Sequence, residues 1–135
     1  LNSSELTDAI KLARRTYIIG NGGSYANAMH ICNDLLSRGV RAYTLDPSTM
    51  AAFANDHGWS RVFSRWIDIV GEPGDLLIAL SGSGTSPNIL YAIEIAERRG
   101  MIVERVFGKE RGLDMQRAEE QQLLIGHEVW KLLGL

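Results

Sequence analysis

Thr16-Tyr17-Ile18-Ile19-Gly20-Asn21-Gly22-Gly23-Ser24 decides the fold, and Leu76-Leu77-Ile78-Ala79-Leu80-Ser81-Gly82-Ser83-Gly84-Thr85-Ser86 repeats its plan. In each, a short apolar run ends in glycines and hydroxyls, and a helical pattern follows. A buried strand handing over to a helix reads this way. Such a turn leaves backbone N–H groups unpaired at the helix N-terminus, aimed at whatever anion sits there. Glycine lets the chain approach closely, and serine and threonine add donors. Two such loops in one small domain indicate an anionic ligand gripped from two sides, and a phosphorylated one first of all.

Outward from these loops the alternation continues. Residues 2–15 read as a helix with Ser3 or Ser4 as its N-cap. Residues 16–20 form the first strand. Residues 24–38 form a helix with Ala28, Ile31, Leu35 and Leu36 at helical spacing, stopped by Gly39. A second strand spans 40–45. A helix capped by Asp46, with Pro47 in its first turn, runs to about Asn55. Residues 60–70 form an amphipathic helix carrying Trp66, and residues 71–74 a turn. Residues 75–80 are the most apolar strand and are expected at the sheet centre. Residues 86–99 form a helix, 101–107 a strand and 114–133 a long final helix.

Buried strands alternating with helices imply a parallel sheet covered on both faces. The expected fold is therefore α/β, a three-layer αβα sandwich with a mostly parallel central sheet of four to five strands. Right-handed crossovers put the strand C-termini on one edge, and both Gly/Ser loops open there.

The 135 residues suit one domain, 1–135, with a single core. A hydrophobic fraction of 45% and a charged fraction of 22% are ordinary for a globular protein. The net charge of −2, without a basic block, argues against nucleic acid as the primary ligand. The lone Cys32 cannot form an internal disulfide and fits a reducing, cytoplasmic setting. No apolar run is long enough to span a bilayer, so no membrane association is expected. The chain does not begin with Met, and the expectation is a start inside a longer parent, with a shortened N-terminal helix.

The first loop lacks the full dinucleotide-binding spacing, and no lysine follows to make a nucleotide phosphate loop. A tight turn needing glycine for geometry alone is the plain reading of either loop by itself. Two hydroxyl-dense loops on one sheet edge outweigh it, and Ser24, Ser81, Ser83 and Ser86 become the phosphate candidates. His30 and Asp34 lie four apart and share a helix face. Glu119 and His127 lie eight apart on the last helix and share a face more loosely. These four suit acid–base proton transfer, or ligation of zinc or a similar divalent ion. A solvated ion pair is the plain alternative for the His30 and Asp34 pair. Residues 55–58 read as a loop beside the ligand, with Asp56 available to sugar hydroxyls. Cys32 reads as packing, and Trp59, Trp66 and Trp130 as core or subunit contacts.

Gly20-Asn21-Gly22-Gly23-Ser24 with Met29-His30, then Asn55-Asp56 with Gly58 and Phe63-Ser64-Arg65, then Gly74-Asp75-Leu76-Leu77 with Ser81-Gly82-Ser83-Gly84, Ser86 and Asn88, together resemble the sugar-isomerase (SIS) domain. Within it they are most similar to the phosphoheptose isomerases. The resemblance runs continuously from Thr16 to Met101 and more faintly over the last helix. It implies interconversion of sedoheptulose 7-phosphate and D-glycero-D-manno-heptose 7-phosphate through an enediol. It implies phosphate binding by Ser24, Ser81, Ser83 and Ser86, with Asn21 and Gly22 in the same loop, and a substrate contact at Asp56. It also implies a base at Asp34 with Glu119 in reserve, a catalytic His127, and zinc at His30, Asp34, Glu119 and His127. A homotetramer with sites at subunit interfaces completes the expectation.

Three departures stand out. Asp34 replaces a family glutamate and draws the carboxylate back by about 1.5 Å. Glu119 replaces a glutamine and adds a charge that favours a bound cation. The segment 108–116 is too short for the family's additional strand. A non-catalytic SIS module that senses a sugar phosphate or scaffolds a partner is the alternative these departures keep open.

Overall fold

The computed structural model describes residues 2–135, the Glu110 side chain excepted. Six helices and four strands alternate along the chain: α1 Ser3–Leu12, β1 Thr16–Ile19, α2 Gly23–Ser37, β2 Ala42–Tyr43, α3 Pro47–His57, α4 Val62–Val70, β3 Leu76–Ser81, α5 Pro87–Arg98, β4 Ile102–Phe107 and α6 Met115–Leu133. Every strand pair is parallel, in the order β2-β1-β3-β4. The fold class is the α/β sandwich expected. Its sheet has four strands among the described residues, because a 3-10 turn at Lys109–Arg111 leads from β4 into α6 with no strand between.

Side chains alternate across the sheet, and each face builds its own core. Ile18, Leu76, Ile78, Leu80 and Val106 pack under α1, α2 and α6. Tyr17, Ile19, Leu77, Ala79 and Phe107 pack under α4 and α5, with α3 at the margin. β3, buried at all six positions, lies inside the sheet as its apolar run predicts.

Some boundaries differ from the sequence reading, each for a visible reason. Asn2, not Ser3 or Ser4, caps α1: its Oδ1 accepts the Glu5 N–H at 2.8 Å, while the Ser3 hydroxyl turns to Glu128 on α6. β2 pairs only at Ala42–Tyr43 rather than over 40–45. Beyond Tyr43 side chains replace the ladder: Thr44 Oγ1 donates to the Ile18 carbonyl at 2.8 Å, and the Tyr25 hydroxyl to the Leu45 carbonyl at 2.5 Å. α3 continues through Asp56 to His57 and stops at Gly58, whose φ of 85° other residues rarely adopt. The helix expected over 60–70 divides into a 3-10 turn, Trp59–Arg61, and α4.

Candidate functional site

Both Gly/Ser loops meet at the C-terminal edge of β1 and β3. Asn21, Ser24, Ser81, Gly82, Ser83 and Ser86 line one recess there, with Leu80 as its floor and Met115 at its side. The loops are tied by a reciprocal amide pair: Asn21 Nδ2 donates to Asn88 Oδ1 and Asn88 Nδ2 to Asn21 Oδ1, both at 2.9 Å. Within the second loop Ser81 Oγ accepts the Gly84 N–H at 2.9 Å, and Ser83 Oγ accepts the Thr85 N–H at 3.2 Å. Ser83 and Ser86 hydroxyls lie 3.5 Å apart. Gly22, with φ 55°, turns the chain into α2. Five of the phosphate candidates, Asn21, Ser24, Ser81, Ser83 and Ser86, are thus gathered in one place, with Gly22 between two of them in sequence.

From the recess α2 and α6 run side by side in the same direction. Gln122 meets Ser24 and Asn27, His127 meets His30, and Trp130 meets Ser37 and Arg38. Gly126 lets the two helices close: a Cβ there would stand 2.7 Å from Ile31 Cγ1. The buried Gln122 and half-buried Asn27 are site residues the sequence reading did not single out, because a glutamine and an asparagine on helix faces carry no motif.

Further along this seam, His30, Asp34 and His127 each offer a ligand atom within 4.8 Å of the other two. His30 Nε2 lies 3.4 Å from Asp34 Oδ2 and 3.3 Å from His127 Nε2. The two facing Nε2 atoms cannot both carry a proton, nor both lack one, and still bond well. A proton or a cation between them satisfies both. Two imidazole nitrogens and a carboxylate oxygen, open to solvent on one side, fit a divalent ion such as zinc with coordination positions to spare.

Two expected members stand elsewhere. Glu119 lies roughly 12 Å along α6 from His127 and does not join the cluster. Its carboxylate rests against Gly23, where a Cβ would collide with it. Within this one chain the cluster therefore gathers three of the four expected ligand residues, with Glu119 beside the recess instead. Asp56 is exposed at the C-terminal end of α3 and accepts a hydrogen bond from Asn55 Nδ2 at 3.2 Å; it is not among the recess-lining residues.

Cys32 and Trp66 agree with their plain readings, while Trp59 and Trp130 are exposed rather than part of a core. Cys32 is buried, and burial pushes its thiol pKa up, away from nucleophilic character. Trp66 meets Tyr17 edge-on in the far core. Trp130 stacks under the Arg38 guanidinium at 3.7 Å and donates to Ser37 Oγ at 2.9 Å. Among the described residues no helix is long and apolar enough to cross a membrane.

Comparison with known proteins adds three matches and a family. A family model described as SIS domain matches residues 3–106. A phosphoheptose isomerase of Akkermansia muciniphila is 35% identical over 149 residues, covering 94% of this chain and 79% of the relative. That aligned stretch exceeds the chain's own length, so the relative carries internal residues that this chain lacks. A phosphoheptose isomerase of Cytophaga hutchinsonii is 39% identical over 114 residues, covering 79% of this chain but only 60% of the relative. Among solved structures, the phosphoheptose isomerase of Neisseria gonorrhoeae matches with a TM-score of 0.85 at 26% identity, covering 98% of this chain and 82% of that one.

Proposed function

The chain belongs to the SIS domain family, and from that premise we propose that it is a sugar-phosphate aldose–ketose isomerase. Its substrate pair is sedoheptulose 7-phosphate and D-glycero-D-manno-heptose 7-phosphate, joined by an enediol. One observation carries the reading: a hydroxyl-lined recess at the α2 N-terminus and a His/Asp/His cluster further along the same helix pair. From Ser24 to His30, α2 rises roughly 9 Å. That separation matches a sugar whose phosphate and reacting carbons lie at opposite ends of a long chain.

In this mechanism Ser24, Ser81, Ser83 and Ser86 hold the phosphate, with the α2 N-terminus adding its dipole. Asp34 removes the proton from the carbon next to the carbonyl. His127 moves a proton between the two oxygens of the enediol. Return of the carbon-bound proton to the neighbouring carbon completes the isomerisation with no net proton consumed. A divalent ion held by His30, Asp34 and His127 would supply Lewis-acid polarisation of the carbonyl. Asp34 cannot be a tight ligand and a free base at once, so the metal-loaded and metal-free sites differ in which group takes the proton.

A homotetramer with sites at subunit interfaces goes with this function, as does a cytoplasmic location. Exposed Met29, Leu36, Leu124 and Trp130 on α2 and α6 support burial of this seam against another copy. Sedimentation giving a monomer at micromolar concentration would count against that assembly.

The test is proton exchange in deuterated water, followed by NMR, with sedoheptulose 7-phosphate and fructose 6-phosphate, with and without zinc. Deuterium entering C1 or C2 of the heptulose, or appearance of the aldose, is the expected result. Unchanged turnover in His127→Gln would overturn the assigned roles. The shortened Asp34 favours a second reading, a non-catalytic sensor, which would bind the phosphates without exchanging any proton.

A further inference from the structure

We propose that Gln122 is a positioning residue: it fixes the Ser24 hydroxyl as a hydrogen-bond donor aimed into the recess. The inference rests on the reading of that recess as a phosphate site. The backbone carbonyl oxygen of Glu119 can only accept a hydrogen bond. It lies 2.8 Å from one terminal atom of the Asn27 side chain, so that atom is the amide nitrogen. The same nitrogen lies 3.0 Å from a terminal atom of Gln122, which must then be Oε1. The other terminal atom of Gln122 is therefore Nε2, and it lies 3.0 Å from Ser24 Oγ. Ser24 Oγ accepts this bond.

With a lone pair so occupied, Ser24 must send its own proton elsewhere. Among the described residues no acceptor receives it. The hydroxyl lines the recess, and that is the direction left. Gln122 is 1% exposed, so water does not compete for its amide. In such surroundings an unmade bond is costly, and the orientation is held firmly. A ligand oxygen carrying negative charge is the acceptor that a fixed, buried O–H donor selects. Polarity thus runs from the α6 backbone through Asn27 and Gln122 to Ser24. The loop hydroxyls alone do not determine it.

The test is a double-mutant cycle read by calorimetric binding of inorganic phosphate, with turnover of the sugar phosphate beside it. Gln122→Met keeps length and neutrality but cannot donate to Ser24. It is expected to weaken phosphate binding about tenfold, as Ser24→Ala does, the loss of one bond to a charged group. In the Ser24→Ala background the same change is expected to cost nothing further, and in turnover KM rises more than kcat falls. A merely structural glutamine would weaken binding by the same factor in both backgrounds, and that result overturns the proposal. Should Gln122→Met fail to fold, Gln122→Glu keeps the Asn27 bond but can only accept, so it captures the Ser24 proton. Phosphate binding by that variant as tight as the wild type's would overturn the proposal as well. Wild-type protein that binds no phosphate at millimolar concentration would overturn it too. Wild-type protein that binds phosphate yet exchanges no proton defeats the isomerase reading alone.

Discussion

Asp34 and Glu119 carry the two substitutions with the sharpest chemical consequences. Asp34→Asn keeps the size and the helix but removes the carboxylate proposed as base, and is expected to lower proton exchange by a factor of about 100 to 10,000. An exchange rate within threefold of wild type would show that Asp34 is not the base. Glu119 sets a negative charge against Gly23 at the start of α2, where an incoming phosphate brings its own. Glu119→Gln is therefore expected to tighten phosphate binding several-fold at low salt, less at high salt, as calorimetry would show. Single residues were unequally legible. His30 and Asp34 announce themselves by spacing, and the loop serines by density. Gln122 does not, because its importance lies in an acceptor carbonyl on its own helix and a partner 98 residues away. No local pattern encodes that geometry.

At the scale of elements, the α2–α6 seam and β4 each allow a direct test. Gly126→Val would wedge a branched side chain against Ile31, costing about 1–3 kcal/mol and forcing His127 away from His30. Loss of zinc affinity greater than loss of stability is the expected signature in parallel calorimetry and melting. On β4, burial raises the Glu104 pKa, and nearby Glu5 raises it further. Its folded-state pKa thus stands above the unfolded one, so its ionisation penalises the native state at neutral pH, and the penalty fades as pH falls through the folded pKa. Glu104→Gln should raise Tm at pH 7, with the gain vanishing at pH 3. Elements with a strong period or a glycine boundary, such as α2, β3 and α5, were legible almost to the residue. β2 was not, because a strand at the sheet margin can exchange ladder bonds for side-chain bonds from Thr44 and Tyr25 without any change in its apolar pattern.

For the molecule as a whole, stability resides in the two cores, and Phe63, fully buried in the far one, is a fair probe. Phe63→Ala is expected to cost about 3–5 kcal/mol in denaturant melts, while phosphate affinity in the folded fraction persists. Saturating zinc should raise Tm by several degrees, an effect absent from His127→Gln. Architecture was legible at this scale because strand-to-helix alternation admits few topologies. Among the described residues β4 is an edge strand of the sheet, carrying Glu104 and Arg105 at its middle. A twofold axis that joined two copies along this strand would set each residue opposite its own symmetry mate at the centre. Centred on Glu104 it would confront two carboxylates, and centred on Arg105 two guanidinium groups, both repulsive. The margin is therefore selective against itself. Continuous sheets through paired copies are disfavoured in these two registers, which turns a symmetric assembly towards the helices.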